Sequence, residues 1–376
     1  MRTKLIRAGV GVLGMALLLS ACGGDDGDTA REAVDDAPEE AEEAEEEAPV
    51  EVEQISFLQP LPKSMAFYPR FTADALGYFE EEGIEIEWLP SGDIPASVMV
   101  PTGQADIGST TPQTAVGAIT QGEDLQIIYE YYQANVFSII VPEDSDIQSV
   151  SDLAGRTVGA QSEAGGGNSV LRAALEDAGI DPDNDVTIAI VGRGGPVVAT
   201  SLESGRIEAY AGAFNDHVAL EVEGISYRDI TPEGLEGLPA SSMVVRHSDV
   251  DERGDVWTRF LRAWSKGTYA GLIEPEVVWI LAQDEVPEEV EDEAFGRAFL
   301  QMSLRLQEPA VGRDRFGELR PEAWQLVEEQ MLATGDIENP LDLDRALNDS
   351  MLDAINDWDR AEVEADVAAW MDQHGG

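Results

Sequence analysis

The sequence carries its clearest fold signal in Gly77-Tyr-Phe-Glu-Glu-Glu-Gly-Ile-Glu-Ile-Glu-Trp88, which is followed by Gly103-Gln-Ala-Asp-Ile-Gly-Ser109. Gly77 and Gly83 stand where a helix would end, and a positive backbone φ is often needed there. The apolar residues at 84, 86 and 88 alternate with glutamates, which predicts a strand with one buried face. A short helix over 95–102 then leads to an inner strand at 105–108. This order of helix, strand, helix and strand indicates an α/β fold.

Strand and helix patterns alternate over most of the remaining chain. Strands are predicted at 53–59, 126–132, 137–141, within 149–160, and at 186–191, 208–214 and 241–246; helices are predicted at 69–82, 112–121, 168–178 and 197–204. Such alternation predicts parallel sheets covered by helices, in two lobes. From 255 to 373 the pattern is helical. Two apolar stripes of this region are expected in the core: Trp257, Phe260, Leu261 and Trp264, and Trp324, Leu326, Val327 and Met331.

The motifs quoted above resemble the first lobe of a type II solute-binding protein. More narrowly, they resemble the family of sulfonate, nitrate, taurine and thiamine-pyrimidine-precursor receptors of ABC importers, in which both motifs recur in this order and at about this spacing. An Asp-Leu turn and a Val-Gly strand within 149–160 match the opening of that family's second lobe. The resemblance implies a type II periplasmic-binding-protein fold, with two α/β lobes, a two-strand hinge and a helical C-terminal region.

The resemblance also implies the organisation and the partners of the chain. Residues 54–140 and 239–376 would form lobe 1 and residues 141–238 lobe 2, with the hinge near 136–141 and 238–245. The protein would be a monomer that closes on a small-molecule ligand without a cofactor and delivers it to an ABC transporter permease.

The N-terminus has the features of an exported lipoprotein. Three cations among the first seven residues precede an apolar run over 8–19, which is too short to span a bilayer. The run ends in Leu19-Ser-Ala-Cys22, which resembles a bacterial lipobox, and Cys22 is the only cysteine of the chain. We therefore expect a signal peptide over 1–21, lipidation of Cys22, and anchoring to the extracytoplasmic side of the cell membrane.

An acidic segment follows over 22–53. It contains fifteen acidic residues and one arginine, and few apolar residues, so we expect a disordered tether. The whole chain has a formal net charge of −52, and beyond the signal peptide its only lysines are Lys63 and Lys266. Such a charge repels phosphates and excludes nucleic-acid binding. The shortage of lysine favours a surface adapted to high salt.

The candidate ligand-binding residues lie in loops after strands, because α/β sheets bind ligands beyond the carboxyl ends of their strands. They are Ser64, Phe67 and Tyr68; Ser109, Thr110 and Thr111; Tyr132; Gln161, Ser162, Gly166, Gly167 and Asn168; Arg193; and Phe214, Asn215 and Asp216. Aromatic rings suit a planar ligand, and hydroxyls and glycine backbone suit an anionic group. Arg193 suits an oxyanion and Asp216 an amine. Each group has a structural alternative: helix capping, core packing, a flexible loop or a salt bridge.

Two ligand classes therefore stay open. Phe67, Tyr68, Tyr132 and Phe214 favour a heteroaromatic vitamin precursor such as an aminopyrimidine or a flavin. Arg193 and the Ser/Thr/Gly loops favour a sulfonate, taurine or nitrate. A lipoprotein that senses a solute and signals to a partner protein is a further alternative.

Catalysis and metal binding have little support in the sequence. Pyrimidine synthases of the same fold carry a cysteine-rich iron-binding segment, and this chain has no cysteine beyond Cys22. His217, His247 and His374 lie far apart, without the spacing of metal ligands. A Gly-x-Ser-x-Gly motif is absent as well. We therefore expect a receptor with no metal and no cofactor rather than an enzyme.

Overall fold

The computed structural model describes residues 52–59, 63–89, 94–163, 166–310 and 312–375. The predicted signal peptide, Cys22 and nearly all of the tether lie outside these residues. Among the residues described, no helix is long and apolar enough to cross a membrane. The same residues contain no group of His, Cys, Asp and Glu arranged to hold a metal ion.

Within the described ranges, ten strands form two five-stranded sheets. The strands are β1 (Glu53–Leu58), β2 (Ile84–Leu89), β3 (Ile107–Thr110), β4 (Gln126–Tyr132), β5 (Phe137–Pro142), β6 (Thr157–Ala160), β7 (Thr187–Ile190), β8 (Ala209–Ala213), β9 (Tyr227–Asp229) and β10 (Ser241–Val245). Sheet A has the order β2-β1-β3-β10-β4 and sheet B the order β7-β6-β8-β5-β9.

Both sheets are mixed rather than wholly parallel. β10 runs antiparallel to β3 and β4 in sheet A, and β5 runs antiparallel to β8 and β9 in sheet B. The other strand pairs are parallel. The antiparallel strand of each sheet is the one that arrives from the other lobe, so the crossing of the chain explains the departure from the predicted parallel sheets.

Helices cover the two sheets. They are α1 (Tyr68–Ala75), α2 (Tyr78–Glu81), α3 (Ala96–Met99), α4 (Pro112–Thr120), α5 (Gly166–Asp177), α6 (Pro196–Glu203), α7 (Phe214–Val222), α8 (Glu233–Glu236), α9 (Val250–Ile273), α10 (Pro275–Glu285), α11 (Pro287–Val290), α12 (Glu293–Gln307), α13 (Pro321–Thr334), α14 (Leu343–Ala346), α15 (Leu352–Ile355) and α16 (Arg360–His374). Short 3-10 turns lie at Met65–Phe67, Val150–Leu153 and His247–Asp249.

The helix predicted over 69–82 is two helices in the structure. Gly77 adopts a left-handed conformation with φ of 82° and separates α1 from α2. A left-handed residue cannot continue a right-handed helix, so the same glycine that signals a helix end also interrupts the predicted one.

The two predicted apolar stripes lie in the core, with one exception. Trp257, Phe260, Leu261 and Trp264 of α9 are fully buried, and Trp324, Val327 and Met331 of α13 are buried as well. Leu326 is 41% exposed. It precedes Val327 by one position, and neighbouring residues of a helix point in different directions.

The chain passes between the sheets in two short segments. β5 pairs with strands of sheet B along its whole length, so the outward crossing lies at 133–136 and the return at 230–240. The side-chain amide of Asn135 donates to the carbonyl of Leu235 at 3.2 Å and joins the two segments. The predicted lobe boundary after residue 140 falls inside β5, because the apolar run there is a paired strand and not a linker.

Candidate ligand-binding site

The carboxyl ends of strands from both sheets meet at the crossing. Tyr132 at the end of β4 leads directly into it. Phe137 at the start of β5 pairs with Ala213 at the end of β8. The N–H of Phe214 donates to the carbonyl of Val136 at 2.8 Å. Strand ends of both lobes therefore approach one place, as a site between lobes requires.

An aromatic cluster of Phe67, Tyr131 and Tyr132 lies on the sheet-A side; it is buried, and only 3–6% of each residue is exposed. Phe67 stacks on Tyr131 with ring centroids 5.3 Å apart, and Tyr131 stacks on Tyr132 at 4.3 Å. The two hydroxyls donate to the carbonyl oxygen of Ala66 at 2.5 and 2.6 Å, and Nε2 of Gln307 donates to the same oxygen at 3.1 Å. A carbonyl oxygen has two lone pairs and can accept two full hydrogen bonds. The three donors therefore compete for the oxygen of Ala66.

Tyr68 and Ser64 have partners inside lobe 1. Tyr68 is fully buried, and its hydroxyl donates to the carbonyl of Thr268 at 3.0 Å. Burial raises the pKa of this phenol. The Oγ of Ser64 accepts from the N–H of Ala66 at 3.1 Å and caps the turn Met65–Phe67. Tyr68 therefore has no exposed surface for a ligand, and Ser64 acts as a cap.

The hydroxyls after β3 also have internal partners. The Oγ atoms of Ser109 and Ser241 are 2.8 Å apart, and both residues are buried. Thr110 is buried within β3. Thr111 is exposed, and its Oγ1 accepts from the N–H of Thr114 at 3.4 Å, which caps α4. Capping and strand packing thus account for these three predicted residues.

Gly166 and Gly167 lie in the first turn of α5, close against sheet B. A Cβ at Gly166 would come within 2.2 Å of the ring of Phe137. At Gly167 a Cβ would come within 2.8 Å of the carbonyl oxygen of Ala211. The two glycines therefore permit close packing of helix on sheet.

Asn168 keeps one polar atom without a partner. Its side chain is 4% exposed, and Nδ2 donates to the carbonyl of Glu163 at 2.7 Å. Its Oδ1 is buried and accepts no hydrogen bond from a described residue. In the loop before it, Gln161 is half-buried and Ser162 is exposed.

The residues at the start of α7 have different surroundings. Phe214 stacks on Phe299 of α12, with ring centroids 5.4 Å apart. Asn215 is half-buried. Arg193, in the loop after β7, is exposed. Phe214 thus contacts a helix that also reaches the aromatic cluster, since Gln307 belongs to α12.

Two carboxylates bind backbone N–H groups near these strand ends. Asp216 is buried; its Oδ1 accepts from the N–H of Gly194 and its Oδ2 from the N–H of Ala213, both at 3.0 Å. Glu289 of α11 accepts from the N–H of Met65 at 2.6 Å. Burial raises the pKa of Glu289, and the bond from Met65 opposes part of that rise.

Sequence reasoning missed several polar residues of this region. Gln307 and Glu289 contact Ala66 and Met65 from 241 and 224 residues away, in a segment with only a helical core pattern. Gln59, directly after β1, is buried and leaves Nε2 without a partner among the described residues. The position of Gln59 after a strand was a usable signal. The positions of Gln307 and Glu289 carried none.

His217 is the buried histidine of the region. Its Nδ1 is 3.2 Å from Oγ of Ser138, and Nε2 has no partner in the described part of the chain. Burial lowers its pKa to about 4. The ring is therefore neutral at pH 7. His247 and His374 are exposed and lie in other parts of the fold.

Two surface cavities lie elsewhere. One, of about 540 Å³, is lined by residues that include Asp314, Arg315 and Trp358. The other, of about 350 Å³, borders the edge strand β2 near Trp88. Neither cavity is lined by a predicted ligand-binding residue.

Comparison with known proteins decides the family. Residues 64–277 match the model of the NMT1/THI5 like family. The chain belongs to this family. Its matched region runs from the turn before α1 through the first turn of α10, and so includes the strand ends of both lobes. The predicted family resemblance is confirmed.

Relatives of this NMT1/THI5-like protein include binding proteins and an enzyme. The riboflavin-binding protein RibY of Chloroflexus aurantiacus is 24% identical over 94% of this chain and 98% of its own length. The aliphatic sulphonate binding protein SsuA of Escherichia coli superimposes with a TM-score of 0.57 at 18% identity, over 78% of this chain and 96% of its own. The desulfurization enzyme DSZB has a TM-score of 0.52 at 16% identity, over 80% and 98%.

The likeness to solved structures establishes the fold. The predicted α/β fold of the periplasmic-binding-protein type is confirmed. The chain is therefore an NMT1/THI5-like protein with the fold that these binding proteins share.

Proposed function

We propose that this protein is the extracytoplasmic receptor of an ABC importer for a planar heteroaromatic ligand, a flavin or a related pyrimidine. The ligand would bind between the lobes and be handed to the permease. The observation that carries the proposal is the aromatic cluster with its surplus of donors at Ala66. Aromatic rings stack on planar ligands, and a donor in excess can turn to a ring carbonyl at little cost.

Two amide groups near the crossing, and one at the carboxyl end of β1, fit such a ligand. Gln307 and Asn168 each offer a buried oxygen, and Gln59 a buried NH2 group, without partners among the described residues. A ring edge that carries both N–H and C=O groups needs donors and acceptors together. A bare oxyanion needs donors alone. The mixed set therefore favours a ring with an imide or amide edge.

The comparisons support this ligand class without deciding it. RibY, which matches nearly the full length of the chain, is named for riboflavin. SsuA is named for sulphonates and supports the alternative ligand class. In this chain the observation that favours the alternative is the exposed guanidinium of Arg193.

We infer binding rather than catalysis. The DSZB likeness means that the fold alone permits an enzyme. This chain has no cysteine other than Cys22 to act as a nucleophile. Its buried histidine has a pKa well below neutrality and stacks edge-on against Tyr210. These features fit a histidine with a packing role.

The anchor belongs to the same proposal. Lipidation of Cys22 and an acidic tether over 22–53 would hold a monomeric receptor near its permease, where the tether raises the local concentration. Mass spectrometry of the chain expressed in a bacterium tests this: a diacylglyceryl adduct on Cys22 is expected. Cys22→Ser is the matching control, and it should lack the adduct and be released from the membrane.

The ligand panel tests the function itself. Riboflavin, an aminopyrimidine, taurine, an alkanesulfonate and nitrate are each titrated against the purified chain while its thermal unfolding is followed. A ligand at about a thousand times its Kd stabilises a protein by about 4 kcal/mol, which is several degrees here. A shift with the ring compounds alone is expected. A shift with sulfonates or nitrate alone would transfer the function to the alternative class, and no shift with any ring compound would refute the proposal.

A further inference from the structure

We propose that Glu289 and Asp216 determine specificity by excluding oxyanions. The carboxylate of Glu289 in lobe 1 and that of Asp216 in lobe 2 accept hydrogen bonds from backbone N–H groups. A sulfonate or nitrate would otherwise bind these N–H groups. The location of the ligand at these strand ends rests on the proposed function. The exclusion rests on the contacts of the two carboxylates.

Glu289 accepts a hydrogen bond at the start of the first helical segment of lobe 1. Its Oε2 accepts from the N–H of Met65 at 2.6 Å. Met65 opens a 3-10 turn that continues into α1. Free N–H groups at such a start attract anions. The next one, of Ala66, is bound by Oγ of Ser64. An incoming oxyanion would therefore meet filled donors and a carboxylate.

Glu289 also lies beside the aromatic cluster. Burial raises the pKa of Tyr132, and the negative charge of Glu289 raises it further. Glu289 binds Met65, and the carbonyl of the next residue, Ala66, holds the hydroxyls of Tyr131 and Tyr132, so the carboxylate lies near the cluster. A neutral ring with N–H groups is compatible with it, because a carboxylate accepts several hydrogen bonds. A sulfonate at the same place would face like charge.

Asp216 has the corresponding role in lobe 2. It is 2% exposed and binds the N–H group of Gly194, in the loop after β7, and that of Ala213, at the end of β8. A Cβ at Gly194 would come within 1.9 Å of the carbonyl oxygen of Asp216. The loop after β7 is thus pressed onto the first turn of α7, and its N–H points at the carboxylate. These donors are already used.

Exclusion by these carboxylates differs from exclusion by net charge. The field of a chain with net charge −52 acts at long range and is screened by salt. Two like charges in contact at a half-buried site are screened much less, and their repulsion lowers affinity on the order of a hundredfold or more. Selectivity against oxyanions should therefore persist in concentrated KCl.

The test compares charge-neutral, nearly isosteric variants. Glu289→Gln removes the charge and keeps an oxygen that accepts from the N–H of Met65. Asp216→Asn removes the charge and keeps an oxygen for only one of the N–H groups of Gly194 and Ala213. Glu288→Gln changes the exposed neighbour of Glu289 and is the matched control. Pentanesulfonate, nitrate and riboflavin are titrated by calorimetry in dilute buffer and in about 2 M KCl. Far-UV circular dichroism checks that each variant is folded.

We expect no oxyanion binding by the natural chain in either salt. Glu289→Gln should gain pentanesulfonate or nitrate affinity by at least about tenfold, while Glu288→Gln stays like the natural chain. Asp216→Asn is the second, independent variant if Glu289→Gln does not fold. Oxyanion binding by the natural chain, or equal behaviour of Glu289→Gln and Glu288→Gln, overturns the inference. The riboflavin titration reports separately on the proposed function, so either can fail without the other.

Discussion

Arg320 and Glu130 form a buried ion pair across 190 residues of sequence, with Nε of Arg320 2.7 Å from Oε2 of Glu130. Glu130 is 1% exposed and also accepts from the indole N–H of Trp324 at 2.8 Å. Nη1 of Arg320 donates to the carbonyl of Gly237 at 2.7 Å, within the return crossing. The pair thus joins β4 of sheet A, α13 and the segment that connects the lobes.

Arg320→Ala should lower the free energy of unfolding by about 3–5 kcal/mol, because it leaves the carboxylate of Glu130 buried and without its charge partner. Urea denaturation measures this. Arg172→Ala, which removes an exposed pair with Asp183, is the control and should cost about 1 kcal/mol or less. Equal losses for the two variants would contradict a structural role for the buried pair.

Tyr132→Phe should weaken ligand binding and spare stability. The carbonyl of Ala66 keeps Tyr131 and Gln307 as donors, so the free energy of unfolding should change by about 1 kcal/mol or less. The affinity for riboflavin should fall about tenfold, the equivalent of one lost hydrogen bond. Calorimetry with riboflavin and urea denaturation give the two readouts.

Tyr68→Phe is the counterpart of Tyr132→Phe and should leave the ligand affinity unchanged. It removes a buried bond to Thr268 and should cost about 1 kcal/mol of stability. The affinity for riboflavin should be unchanged, since Tyr68 is enclosed in the core. Parallel losses of affinity in both variants would argue against the aromatic cluster as the ligand site.

His217 should make the protein less stable as the pH falls from about 6.5 to about 4. Burial lowers its pKa from 6.5 to about 4 in the folded state. Between these pH values the unfolded chain binds more protons than the folded chain. The contribution of neutral His217 to the free energy of unfolding is therefore full above pH 6.5 and is lost towards pH 4. The loss amounts to about 3 kcal/mol. Denaturation at pH 7, 5 and 4 should show a steeper loss for the natural chain than for His217→Gln, and His374→Gln, at an exposed site, should follow the natural chain.

Gly194→Ala should destabilise the second lobe. The added Cβ would lie 1.9 Å from the carbonyl oxygen of Asp216, and relieving that overlap should cost about 1–3 kcal/mol. Gly234→Ala is the matched control, because its Cβ would meet no atom within 4 Å. Urea midpoints compare the two variants. An unchanged urea midpoint for Gly194→Ala would contradict this, because the loop after β7 would then move to make room for the Cβ without disturbing Asp216.

The fold could be predicted because its signals are local. The alternation at 84–88 and the glycines at 77 and 83 depend on neighbours a few residues away. The same locality explains the errors. The sequence indicates that a helix ends at Gly77. It does not show that this glycine divides the helix predicted over 69–82 into two. The run over 137–141 had to be a strand, but only its pairing with β8 assigns it to sheet B.

The site could be predicted only in position. Strand ends indicate where polar groups gather, and Tyr132 and Asn168 are predicted as ligand contacts on that ground, which stays a prediction. Their partners were not visible, because Gln307 and Glu289 reach the same place from the far end of the chain. For Ser64 and Asp216 the residue type alone is misleading. Their residue types suit a ligand, but nearby backbone N–H groups take up the same oxygens first.

Helix α12 contacts both lobes, through Phe299 on Phe214 and through Gln307 on Ala66. Separation of the lobes must break an aromatic pair worth about 0.5–1.5 kcal/mol beyond its buried area. For the receptor proposed above, the fraction of empty protein that is ready to bind would therefore depend on residue 299, which need not touch the ligand. Apparent affinity scales with that fraction. Evolution can thus retune uptake at low solute concentrations through this helix while every ligand contact stays the same.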